Sequence, residues 1–287
     1  MRTDNRRWLR LLAVLAMVLL LGAACGEDAP DTQPSGGGEE TESEEPQFST
    51  IEDGVLKVGS CLDYRPFEFV KGGEEMGFDV ELSEAIAERL GLEIEWVRAN
   101  FDTIFTAVAG GGQFDMVAAA STITEERLQT VDFSDPYFNS RQALTINSEE
   151  TPDIASSSDL GEGDVVGVQK GTTGKAWAEE NLAPQGVEIK TFEAVPQAFT
   201  DLEAGAIVAV VNDEGSSIGE VENRPSLEVV EAIDTDEKYG LAFSQDNPEL
   251  TEAVNGALAE IIADGTYEQI FTKWFPDLPV PEEFAAS

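Results

Sequence analysis

Apolar and polar positions along the chain alternate between two periods, and the alternation predicts an α/β protein. VLKVGSCL at 55–62 reads as a strand. From Phe78 to Leu90 the apolar residues Leu82, Ile86 and Leu90 fall on one helical stripe, and Gly91 supplies a stop. Residues 92–97 alternate as a strand, 101–108 suggest a helix, and FDMVAAA at 114–120 reads as a buried strand. The pattern then restarts. DVVGVQ at 164–169 is strand-like and leads into KGTTGKAWAEEN. VEIKTF at 187–192 is a strand, 195–204 a helix, and IVAVV at 207–211 an apolar strand ended by Asn212 and Asp213. Strands alternating with helices imply a parallel sheet in each of two blocks, roughly 55–140 and 148–235. ALTIN at 143–147 reads as a connecting segment and YGLAF at 239–243 as a second strand-like segment. Asn247 as a cap, Pro248 in the first turn and the stripe Leu250, Val254, Leu258 and Ile261 predict a helix. Asp264 and Gly265 break it before a last helix from Thr266 to Trp274.

The N-terminus follows a different logic. Arg2, Arg6, Arg7 and Arg10 precede an apolar run from Leu11 to Leu21, then Gly22, Ala23, Ala24 and Cys25. A basic start, a short apolar core and small residues describe a secretory signal peptide over 1–24. A membrane-spanning anchor would need roughly 20 apolar residues. LGAAC at 21–25 resembles the lipobox of bacterial lipoproteins, with Gly22 where leucine is more usual. That resemblance implies lipidation of Cys25 and an extracytoplasmic protein anchored to the cell membrane. The segment 25–50 is acidic and poor in apolar residues, and is expected to be a disordered linker.

Composition narrows the partners. Lys and Arg total 17 against 57 Asp and Glu, a formal net charge of −40. Nucleic acid is excluded as a partner, because phosphate binding needs a basic face. The charge otherwise describes a solvated surface rather than a fold. The chain has no histidine and, besides Cys25, only Cys61. No metal site and no cofactor are expected. GVQKGTTGK at 167–175 lacks Walker spacing, and AGGGQFD at 109–115 is no dinucleotide fingerprint.

The remaining chemistry points to a zwitterion. GTTG at 171–174 joins a strand to a helix start, where N–H groups and hydroxyls of Thr172 or Thr173 can hold a carboxylate, or simply cap the helix. STITEER at 121–127 puts the hydroxyls of Ser121 and Thr122 after a buried strand, followed by Arg127. An arginine fork can grip a carboxylate, or form a surface salt bridge. Asp213 follows an apolar strand, where open α/β sheets bind ligands; it can hold an ammonium group or serve as a turn residue. Tyr64, Phe67 and Phe101 can flank an apolar stem or pack the core.

Taken in order, VLKVGS, YRPFEF, GFDVEL, STITEER, VDFSDPYF, DLGEGDVVGVQKGTTG, YGLAF and DGTYEQIFTKWF resemble the amino-acid-type extracellular solute-binding proteins of ABC importers, over nearly all of 52–276. The resemblance implies a two-lobed periplasmic-binding-protein-like fold of type II with two hinge-crossing strands. One lobe would comprise 51–142 plus 244–287, and the other, with ALTIN and YGLAF as hinge strands, 143–243. It places Arg127 on the ligand carboxylate with Thr122 and the backbone near Thr173, Asp213 on the amino group, and Tyr64 and Phe101 beside the ligand body. Cys61 stands where several relatives that bind basic or amide amino acids carry aspartate. Asp63, Glu68 and Gln169 are candidate substitutes, and a small buried hydrophobe is the other reading of Cys61.

The function expected is therefore binding of an amino-acid-like solute by a monomer and delivery to an importer permease. A dehydratase acting on a small carboxylic acid, or a ligand sensor for a membrane receptor, are the alternatives. The absence of histidine and of a distinctive acid–base pair argues against catalysis.

Overall fold

The computed structural model describes residues 48–286. The expected signal peptide, Cys25 and nearly all of the linker lie outside the described residues. Among those described, no helix is long and apolar enough to cross a membrane.

In chain order the strands are β1 (Val55–Ser60), β2 (Asp63–Tyr64), β3 (Glu68–Lys71) and β4 (Glu74–Met76), then helix α1 (Phe78–Leu90). There follow β5 (Glu93–Arg98), α2 (Phe101–Ala109), β6 (Met116–Val117), β7 (Val131–Phe133) and β8 (Phe138–Asn147). The next elements are β9 (Val165–Gln169), α3 (Thr173–Asn181), β10 (Glu188–Phe192), α4 (Val195–Glu203), β11 (Ala209–Asp213) and α5 (Glu214–Val221). The chain closes with β12 (Leu227–Tyr239), β13 (Ala242–Ser244), α6 (Pro248–Ala263) and α7 (Thr266–Trp274).

These elements form two lobes around two five-stranded sheets, ordered β5-β1-β6-β13-β7 and β10-β9-β11-β8-β12. The first three strands of each order run parallel. The parallel sheet expected in each block accounts for these three strands, and each sheet is mixed: β13 is antiparallel to β6 and β7, and β8 is antiparallel to β11 and β12. The reason is topological. The chain enters the second sheet and returns from it along neighbouring paths, so the two connecting strands must run in opposite directions.

The helix periods found their elements because apolar stripes need a core to face. Leu82 and Ile86 of α1, and Leu250, Val254, Leu258 and Ile261 of α6, are all buried. Gly91 ends α1 in the left-handed region at φ 69°, donating its N–H to Glu88. Asn247 precedes α6 as expected but does not cap it with its side chain; its Nδ2 donates to the carbonyl of Ser49 instead. Of FDMVAAA, only Met116 and Val117 form a strand.

The two crossings lie side by side. The chain leaves the first sheet after Phe133 and enters the second at Phe138; it leaves that sheet after Tyr239 and re-enters the first at Ala242. ALTIN, expected as a hinge strand with the lobe boundary at 142/143, is instead the second half of β8 inside the second sheet, where Ala143–Ile146 pair with β11; the crossing lies at 134–137, because the strand that enters the second sheet begins at Phe138. The crossings are tied together by Tyr137 N–H to Tyr239 O at 3.0 Å and Ser134 N–H to Leu241 O at 2.8 Å. Phe138 and Tyr239 face each other across the strands with rings stacked at 5.5 Å, and Phe67 packs edge-on against both. This aromatic cluster forms the floor between the lobes.

Candidate binding site

Five parallel strands end at one cavity. β1 leads into Cys61 and on to Asp63 and Tyr64 of β2; β5 leads into Phe101; β6 leads to Ala119, Ala120, Thr122 and Arg127; β9 leads to Gln169, Thr172 and Thr173; β11 delivers Asp213. With Glu68 from β3 these residues line one small cavity. The convergence follows from the sheet topology, since parallel strands present their carboxyl ends and the following helix starts on one side. Every candidate from the sequence reaches this cavity except Phe67, which is packed in the aromatic cluster, and Ser121. Ser121 is fully buried behind the wall, where its carbonyl accepts from Gly240 N–H at 3.0 Å.

Asp213 is the acid of the site. Its Oδ2 accepts from the Tyr64 hydroxyl at 2.7 Å and from the Tyr239 hydroxyl at 2.5 Å, and its Oδ1 accepts from Gln142. Tyr64 belongs to the first lobe and Asp213 to the second, so this carboxylate ties the lobes. Burial raises its pKa to about 6, with Glu237 adding to the rise and the Tyr239, Tyr64 and Gln142 hydrogen bonds opposing it. Burial also pushes the Tyr64 and Tyr239 phenols up, with Asp213 adding to both, so both stay protonated as donors.

Arg127 is the only basic residue among those lining the cavity. Its guanidinium donates to Thr122 O at 2.6 Å and to Gly171 O, in the other lobe, at 3.2 Å. It lies over the Phe105 ring at 4.6 Å and the Phe101 ring at 5.2 Å, at cation–π distance. Burial lowers its pKa to about 10, against the pull of Asp213 and Glu237, so it remains a cation at neutral pH.

The GTTG turn is built by two tight fits. Gly171 sits at φ 78°, with a Cβ position only 3.1 Å from Asp102 Cα in the other lobe. At Gly174 a Cβ would lie 2.6 Å from Gln142 Oε1. Thr172 caps α3, accepting from Lys175 N–H at 3.1 Å and donating to Gln169 O at 2.8 Å. The hydroxyl of Thr173 donates to Glu237 Oε2 at 2.8 Å, and that of Thr122 donates to the same oxygen at 2.6 Å. The N–H groups of the first helical turn have no carbonyl partner within the helix, which leaves the start of α3 positive.

A family model for bacterial extracellular solute-binding proteins, family 3, matches residues 56–277. The chain belongs to this family. A probable histidine-binding protein of Neisseria gonorrhoeae is 34% identical to the solute-binding protein over 226 residues, 77% of this chain and 83% of the relative. An ABC transporter glutamine-binding protein of Bacillus subtilis is 31% identical over 279 residues, 94% of this chain and 97% of the relative. Among solved structures, an ancestral arginine-binding protein bound to arginine shares 39% identity with a TM-score of 0.73, covering 77% of this chain and 98% of that one.

Three supports of the solute-binding site were not picked out from the sequence. Glu237 is buried, and its carboxylate accepts four hydrogen bonds: Oε1 from Gln142 and Thr235, each at 2.8 Å, and Oε2 from Thr122 and Thr173. Gln142 joins Glu237 to Asp213. Asp79, at the start of α1, accepts from Ala120 N–H at 2.7 Å and from the Tyr137 hydroxyl at 2.9 Å. That bond helps hold Ala120 at φ 44°, a conformation costly for a residue with a side chain. The available signals were small: Glu237 lies two residues before YGLAF, and Asp79 lies inside GFDVEL. Among the described residues, no group of three His, Cys, Asp or Glu side chains is arranged to hold a metal ion.

Proposed function

We propose that this solute-binding protein holds an amino acid by both ends of its backbone and delivers it to an ABC importer permease. The observation that carries the reading is one cavity lined by a single cation, Arg127, and a half-enclosed acid, Asp213, with apolar and aromatic walls between. The α-carboxylate is taken by Arg127, the Thr122 hydroxyl and the positive start of α3 at Thr173. The α-ammonium is taken by Asp213. Tyr64 and Phe101 flank the ligand body, with Cys61, Gln169 and Thr172 completing the wall and Ser121 supporting it from behind. The lobes are the bodies that move: residues 48–133 with 242–286, and 138–239. A ligand that bridges Arg127 and Asp213 favours their approach by its differential contacts.

The relatives' names support amino acids as the solute class and binding rather than catalysis as the activity. On the same reading the protein works as a monomer outside the cytoplasm, with residues 1–24 removed and Cys25 lipidated. More than one acyl chain makes such an anchor stable. The test has two parts. Amino acids screened by thermal shift should include at least one that raises the melting temperature in a concentration-dependent way; none doing so contradicts the solute class. Cys25→Ser should move the protein out of the membrane fraction; retention there contradicts the anchor.

A further inference from the structure

Of the ion pairs formed among the described residues, a single one joins the two lobes. Lys170 Nζ of the second lobe lies 2.9 Å from Asp102 Oδ2 of the first. Acids are so abundant in this chain that a lysine readily finds a partner on its own lobe, as Lys175 does in Glu179 and Lys190 in Asp201. A pair that crosses the cleft is therefore a feature of how the lobes meet.

The backbone closes on the same point. Gly171 follows Lys170 and comes so near that a Cβ on it would sit 3.1 Å from Asp102 Cα. The carbonyl of Gly171 accepts from the Arg127 guanidinium, again across the lobes. Asp102 adjoins Phe101, and Lys170 adjoins Gln169 and the GTTG turn. The ion pair thus sits beside the carboxylate end of the cavity, and neither of its residues lines that cavity. Asp102 stands in the first turn of α2, where the positive helix end favours it. Hydrogen bonding to Asp102 raises the Lys170 pKa, so the lysine is charged. Glu193 Oε1, on the same lobe as Lys170, lies 3.7 Å from its Nζ. When the lobes part, Lys170 keeps Glu193 and Asp102 loses its cation.

We infer that Asp102 and Lys170 are positioning residues, whose ion pair clasps the lobes beside the carboxylate end of the cavity and slows the departure of a bound solute. The inference rests on the amino-acid reading above and adds to it a control of residence time that lies outside the ligand contacts. An interaction made only when the lobes are together slows their opening and leaves encounter with the open protein unchanged.

The test is stopped-flow tryptophan fluorescence with L-arginine, L-glutamine and L-histidine on the unaltered protein, Asp102→Asn, Lys170→Met and the double variant. For each of the three that binds, either single variant should raise the dissociation rate about twofold to fivefold, the scale of a partly exposed ion pair. The association rate should stay within about twofold. The double variant should dissociate no faster than the faster single one, because both substitutions break the same contact. In about 1 M NaCl, where the screening length falls to about 3 Å, the difference between the unaltered protein and Asp102→Asn should shrink by at least about half. Unchanged dissociation in both single variants, or increases that multiply in the double one, overturns the inference while amino-acid binding stands. A difference that persists undiminished in salt overturns it too, since it marks a packing role for Asp102. If neither these three nor any other amino acid binds the unaltered protein, the amino-acid reading falls and the inference with it. Lys170→Met alters a half-exposed side chain, so the comparison holds even where Asp102→Asn disturbs α2.

Discussion

The Tyr64 hydroxyl donates to Asp213 Oδ2 across the cleft at 2.7 Å, so an aromatic residue of one lobe and an acid of the other form a single unit. The same oxygen accepts from Tyr239 at the crossing, which joins the site to the hinge. Asp213→Asn keeps the shape but removes the charge that an ammonium group needs. Loss of one partner of a buried pair costs about 3 kcal/mol or more, so affinity should fall by roughly two orders of magnitude. Titration calorimetry on the folded variant checks this.

Asp213 also sets a pH dependence. Burial holds its pKa at about 6, and an ammonium ligand must lower it in the complex. The group therefore contributes to binding fully above pH 6, and the contribution is lost as pH falls through that value. The dissociation constant should rise about tenfold between pH 7 and pH 5. In Asp213→Asn this slope should flatten, which separates it from titration elsewhere.

Arg127 donates to carbonyls of both lobes and lies over two rings, which a lysine cannot reproduce. Arg127→Lys keeps the charge and should still weaken amino-acid binding by at least about tenfold through loss of the bidentate geometry. The loss should appear in the dissociation rate followed by stopped-flow fluorescence.

Glu237 gathers donors from Thr122 of the first lobe, from Thr173 of the second, and from Gln142 and Thr235. Gln142 and one oxygen of a glutamine at 237 can still pair, but an NH2 group cannot accept from the hydroxyls. Glu237→Gln should lower the unfolding free energy by about 1–3 kcal/mol in urea titration.

Much of this was legible in the sequence where a residue pattern has a single physical solution. The α1 stripe of Leu82, Ile86 and Leu90, closed by Gly91, predicted the helix over Phe78–Leu90 that the structure contains. Cavity-lining residues were legible where they end or follow strands, as Asp213 ends β11 and Thr172 follows β9. The long strand β12 was not, because LEVVEAIDTDEKY alternates with mostly polar residues and lies half exposed beside β8. Antiparallel pairing of β8 and β12 was also hidden, since strand direction depends on where a chain returns rather than on local period. Glu237 was one acid among 57, and only its four donors single it out.

The central claim is that an amino acid is gripped by both backbone ends, and it is tested most directly by trimming the ligand. The amino acid that raises the melting temperature most should be compared by calorimetry with its amine lacking the carboxylate and its acid lacking the ammonium. Each truncated analogue should bind at least about a hundredfold more weakly, because each leaves Arg127 or Asp213 buried without its partner. An analogue that binds as tightly as the intact amino acid would contradict the account.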